Sequence, residues 1–293
     1  MTPINDVKES FGLLRGKFLS YLLAIVGMMF VLLVLFLVIT LPIGILLWVL
    51  GFGTSSANFI DVWVNDVLLF WQPLASTSPV AQLGVIFLFV VLPVFALLEW
   101  VLGSVYGMSK DIVISGESSA EGAFSWFRKM APRFLLSGIV VATVVIGPVG
   151  IASYLISWYY GFSTPWQVTW PLLILLVLYL YIFLGILRMY IPAVADGLSV
   201  VDGLKKAISL FRSNIGRIFG AWTIYFILIF IWFVPLGIWG VLQGIPGPWP
   251  GVLSLEFWLS LSLAGIGLFL DLLIFFPMMI LGMTKIYFDI RSQ

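Results

Sequence analysis

The chain has 293 residues, of which 62% are hydrophobic and only 9% charged. Soluble domains are about half apolar and a quarter charged, so lipid has to solvate much of this surface, and a net charge of +1 points to no nucleic-acid partner. Cysteine and histidine are both absent, which excludes disulfides, thiol catalysis, zinc–thiolate sites and imidazole acid–base chemistry.

Six apolar stretches follow one another, at roughly 18–50, 80–108, 134–160, 168–191, 216–243 and 255–285. Each exceeds the ~20 residues a helix needs to cross the hydrocarbon. The first is too long for the apolar region of a cleavable signal and lacks a small-residue cleavage site. The expected fold class is therefore all-α: a polytopic membrane protein of six transmembrane helices in a single membrane domain, 1–293.

The chain also repeats itself, in units of about 1–108, 109–192 and 193–293. Each unit reads as a short amphipathic helix, a span ending in Pro-x-Gly, an outer loop and a returning span. In the first unit Val7, Phe11, Leu14 and Phe18 keep helical spacing, and Thr2-Pro3 offers a cap. The motif Pro42-Ile43-Gly44 closes the first span. The first outer loop holds another amphipathic stretch near 58–72, with Asp61 and Asp66 opposite Trp63 and Trp71. This segment is expected to be an outer interfacial helix, or a face for a protein partner.

In the second unit Ser118-Ser119-Ala120-Glu121 reads as a capping box, followed by the stripe Ala123, Trp126, Phe127 and Met130. The motif there is Pro148-Val149-Gly150. In the third, Ser199-Val200-Val201-Asp202 is the box, Leu204, Ile208, Phe211 and Ile215 the stripe, and Pro235-Leu236-Gly237 the motif. Proline removes an amide donor, and inside lipid the freed carbonyl needs another partner. Each motif is thus expected to kink its span; a ring of three kinks framing a substrate or gate is the functional alternative. The amphipathic helices are expected to lie in the inner headgroups, with membrane lipids as partners, or to dock a cytoplasmic protein. Units that cross twice and restart on the same side are direct repeats.

All fourteen basic residues fall in the N-terminal segment, the loops after spans two and four, the adjoining span ends or the C-terminal tail. Segregation of this kind places both termini in the cytoplasm of a multi-pass cell-membrane protein. The opposite side collects Trp48, Trp63, Trp71, Trp158, Trp166, Trp170, Trp239, Trp249 and Trp258, an interfacial belt.

Three ionisable residues sit within spans: Asp271 mid-span six, Glu99 in the inner half of span two, and Arg188 near the inner end of span four. Intramembrane charges face the protein interior or water. One reading is helix-to-helix glue, with a protonated or Arg188-paired carboxylate. The other is a polar pathway, with Asp271 and Glu99 as proton or cation sites. Gly138 with Ala142, Ser260 with Ala264, and Gly265 with Gly267 should allow close packing.

The stretch Gly197-Leu-Ser-Val-Val-Asp-Gly-Leu-Lys-Lys-Ala-Ile-Ser-Leu-Phe211 and the tail Lys285-Ile-Tyr-Phe-Asp-Ile-Arg291 resemble the six-helix membrane domain of some bacterial glycerophosphodiester phosphodiesterases and its stand-alone relatives. The resemblance covers nearly the whole chain. The fused enzymes carry their chemistry on a soluble barrel with no counterpart here, so the resemblance implies the membrane fold and transfers no catalytic residue. No catalytic motif, cofactor loop or metal site is read from the sequence. The leading function is a membrane scaffold or accessory subunit organising lipid or partners. A transporter or channel for a small or apolar solute is the alternative, and a lipid-modifying enzyme the third reading.

Overall fold

The structure is a computed structural model describing residues 2–49, 87–116, 119–160, 166–243 and 255–291. Among these residues regular structure is helical throughout, with no strand. In chain order the elements are α1 (Pro3–Val49), a π segment (Phe87–Val91), α2 (Leu92–Ser115), α3 (Ala120–Lys129) and α4 (Ala131–Val141). A second π segment (Ala142–Ile146), α5 (Gly147–Tyr160), α6 (Trp166–Ala195), α7 (Val200–Ser213) and α8 (Ile215–Phe230) follow. A 3₁₀ turn (Ile231–Phe233), α9 (Val234–Gln243), α10 (Leu255–Leu270), a third π segment (Asp271–Phe275) and α11 (Phe276–Arg291) complete it.

Among the described residues six helices are long and apolar enough to cross a membrane. Their outward surface carries the solvent argument: on α1, Leu19, Leu23, Val26, Phe30 and Leu33 are all exposed. Burial is worth about 25 cal/mol per Å² of apolar surface, so such a row is stable only against hydrocarbon.

The first unit departs from expectation. A short helix separate from the first span is expected, but α1 runs unbroken for 47 residues. No proline interrupts 8–18. Before α4, by contrast, Pro132 occupies the first turn, and before α8, Asn214 ends α7. The two junction residues, Met130 (φ −112, ψ 12) and Asn214 (φ −129, ψ 35), share one backbone conformation.

The buried faces also differ from the expected stripes. On α1, Asp6, Ser10, Leu14 and Tyr21 turn inward, whereas Phe11 and Phe18 are exposed. On α7, Gly203, Ala207, Leu210 and Phe211 are buried and Ile208 faces out, as does Ile215 at the start of α8. The Ser199 cap forms as its sequence implies, accepting from the Asp202 amide at 3.1 Å. On α3 the cap is Ser119, accepting from Gly122 at 3.1 Å; Ser118 lies outside the described residues.

Prolines act on helix register. The three π segments and the 3₁₀ turn each end two residues before a proline, at Pro93, Pro148, Pro277 and Pro235. A proline has no N–H and its ring crowds the carbonyl four residues back, so the preceding turn widens or tightens. α1 passes Pro42 and Gly44 with no change of helix type. The 58–72 segment lies outside the described residues.

By contact the chain divides into two compact units. One comprises 1–24, 105–123 and 185–293, the other 25–104 and 124–184. In the second unit Gly138 lets α4 approach α2 closely, since a Cβ there would fall 2.4 Å from the Ala96 Cα. There too, α3 is fastened to α2: Phe127 stacks on Trp100 at 4.1 Å, and the Trp100 indole donates to the Phe127 carbonyl at 2.7 Å.

Candidate functional site

In the first unit, charged groups from distant parts of the chain meet at the helix ends. Arg217, in the first turn of α8, donates from Nε and one terminal nitrogen to the two Asp6 carboxylate oxygens, at 2.8 and 2.7 Å. The same terminal nitrogen reaches Asp289 of α11 at 2.9 Å. Lys285 bonds Glu9 of α1 and lies 3.7 Å from Asp289. Asp6 is only 1% exposed, so its charge depends on this bidentate contact. One turn on, the single Ser10 hydroxyl hydrogen goes to the Val7 carbonyl. Tyr225 is therefore the donor in its 2.7 Å bond with Ser10. Gly282 makes room for that pair, because a Cβ there would lie 1.9 Å from the Tyr225 hydroxyl.

A second cluster centres on Asp196, at the turn after α6. It accepts from Lys110 of α2 at 3.3 Å, from Tyr287 of α11 at 3.3 Å, and from Arg291. Gly197 follows at φ +100, a conformation that suits glycine. Nearby, Ser109 spends its hydrogen on the Val105 carbonyl, which leaves Tyr21 to donate to Ser109. Beside Lys17, Asp111, Ser115 and Ser119 a cleft of about 660 Å³ opens. Lys17 makes no ion pair among the described residues.

The three intramembrane residues have different surroundings. Arg188 donates to the Tyr106 hydroxyl at 3.4 Å and lies over the Trp222 ring at 5.4 Å, a cation–π contact. Asp271 opens the third π segment; it is 7% exposed, and neither carboxylate oxygen has a hydrogen-bond partner among the described residues. Arg188 thus turns to Tyr106 and Trp222 rather than to Asp271. Glu99 is 6% exposed and belongs to the other compact unit. In that unit the proline problem has a visible solution: the Tyr179 hydroxyl of α6 donates to the Val144 carbonyl, four residues before Pro148. That carbonyl is the one Pro148 deprives of a donor.

Sequence reasoning singled out Asp271, Glu99 and Arg188 but missed Asp6, Ser10, Tyr225, Asp196 and Tyr179. Asp6, Ser10 and Leu14 do share one helical face, at steps of four, and that polar row is the signal that was available. The prolines of the even spans, Pro93 and Pro277, were likewise readable. Nothing in the sequence pairs Tyr179 with Val144. No group of three or more Asp and Glu side chains able to hold a metal occurs among the described residues. Compared with known proteins, the chain matches no family model, no curated protein and no solved structure.

Proposed function

We propose that this chain is a membrane scaffold that gathers anionic lipid at its basic face, with both termini cytoplasmic. One observation carries the reading. Lys110, Arg217, Lys285 and Arg291, at span ends, are consumed in pairs with Asp6, Glu9, Asp196 and Asp289. The cations of α7, Lys205, Lys206 and Arg212, are exposed and make no ion pair among the described residues. They share the helix with exposed Val201 (60%) and Ile208 (48%). A helix that shows water both cations and large apolar side chains suits the headgroup layer, where one set meets phosphate and the other meets acyl chain. The cleft beside Lys17 extends the same chemistry to a second point.

The three Pro-x-Gly units and the like junctions at Met130 and Asn214 support a direct repeat. A scaffold built this way would present similar interfacial helices more than once. Kinship with the phosphodiesterase membrane domains rests on 197–211 and 285–291, which flank the Asp196 cluster.

The test is lipid selectivity, measured by electron paramagnetic resonance of spin-labelled phosphatidylglycerol against phosphatidylcholine around the reconstituted protein. Each basic residue near an anionic surface is worth about 1 kcal/mol. Replacing Lys205, Lys206 and Arg212 by glutamine should bring the selectivity close to unity. Selectivity equal to that of the unmodified chain sinks the proposal.

A further inference from the structure

Buried polar atoms nearly always have partners, and four that have no hydrogen-bond partner among the described residues lie on a single helix seam. They are the carboxyl of Asp271 and the indole nitrogens of Trp232 and Trp239. The tryptophans are seven residues apart, so their side chains share a face across the 3₁₀ turn and α9. Opposite them α10 and its π segment present Ser260, Ala264, Gly267 and Asp271, all buried, at steps of four, three and four. The two faces touch at Gly267, where a Cβ would lie 2.1 Å from the Trp232 Cβ. Asp271 is one turn beyond that contact, about 24 Å along the helix from Leu255 and about 21 Å from Lys285.

The chemistry of the seam selects its occupant. Packing at Gly267 is too close for an organic solute. Indole N–H groups only donate, so they repel a metal ion. Besides the Asp271 carboxyl, Ser260 brings the one side-chain oxygen on this face of α10. A hard cation takes about six oxygens or more. A proton needs neither space nor further ligands, and on the Asp271 carboxyl it leaves a neutral group in the seam.

We propose that Asp271 is a proton-binding site inside the membrane, on the seam that carries Trp232, Trp239 and Ser260. Other titratable groups on the elements packed around it are engaged elsewhere or, like Glu256, exposed at a helix end. Tyr225 of α8 bonds Ser10, and Arg217 of α8 bonds Asp6 and Asp289. Lys285, Tyr287, Asp289 and Arg291 of α11 are paired at that helix's far end. Glu256 stands at the start of α10. The site is independent of the lipid-scaffold reading and stands or falls without it.

The probe is dicyclohexylcarbodiimide, which partitions into lipid and reacts with the protonated carboxyl. The acid proton moves to a carbodiimide nitrogen and the carboxyl oxygen bonds the central carbon. An acyl shift from oxygen to nitrogen then fixes the adduct, with no leaving group. The full chain in liposomes is labelled at two pH values and mapped by peptide mass spectrometry. Asp271 should carry the adduct and react about tenfold or more faster near pH 6 than near pH 9, as the protonated fraction falls by up to tenfold per unit. The Asp271→Asn chain should lose that peptide's label. No label at either pH in the folded chain, or equal rates at both, overturns the site.

Discussion

Replacing Arg217 by glutamine should destabilise the protein far more than losing an ordinary ion pair. Asp6 is 1% exposed and takes two of its hydrogen bonds from this guanidinium, at 2.7 and 2.8 Å. Without Arg217 it is a buried carboxylate with no counter-charge, and breaking a buried pair from one side costs about 3–5 kcal/mol. Asp289 suffers less, because its side chain is 30% exposed and Lys285 lies 3.7 Å away. Asp289→Asn should therefore cost about 0–1 kcal/mol, as exposed pairs do. Asp6→Asn leaves Arg217 with Asp289 and should fall between, at about 1–3 kcal/mol. The double variant Asp6→Asn with Arg217→Gln should be milder than the sum, with a coupling of about 1–3 kcal/mol. Equilibrium unfolding in mixed micelles of rising dodecyl sulfate fraction, followed by far-ultraviolet circular dichroism, measures all four. If Arg217→Gln and Asp289→Asn agree within about 0.5 kcal/mol, Asp6 is not held as described and the reasoning fails.

The Tyr179 bond to the Val144 carbonyl makes a paired prediction for the same assay. Tyr179→Phe should cost about 1–3 kcal/mol, the usual loss for an unsatisfied buried acceptor. Adding Pro148→Ala, which supplies an amide donor again, should recover part of it; no recovery means that Tyr179 stabilises by packing alone. Gly138→Leu should cost about 1–3 kcal/mol or more by forcing α4 from α2, since even a Cβ would come within 2.4 Å of the Ala96 Cα. Gly150→Ala, with nothing within 4 Å of the new carbon, is the neutral control; equal losses at the two sites would refute the close approach.

Some features follow from local sequence alone. The number and rough extent of the membrane helices is one, because transfer to hydrocarbon is close to additive along a run of side chains. Ser199 capping Asp202 is another, since donor and acceptor lie three residues apart. Four of the prolines mark changes of helix register for the same reason: a missing N–H acts on the turn before it.

What the tertiary structure alone decided is how the rare polar groups are partnered. The apolar row Phe11 and Phe18 looks like the inner face of α1. The inward face instead holds Asp6 and Ser10, because Arg217 and Tyr225, more than two hundred residues away in the chain, are there to receive them. Val144 finds Tyr179 and Asp196 finds Arg291, while Asp271, the most conspicuous acid in the sequence, meets no hydrogen-bond partner among the described residues. Lipid rewards apolar length wherever it occurs, but a buried charge is satisfied only by a group at bonding distance, and that distance is set by packing between helices.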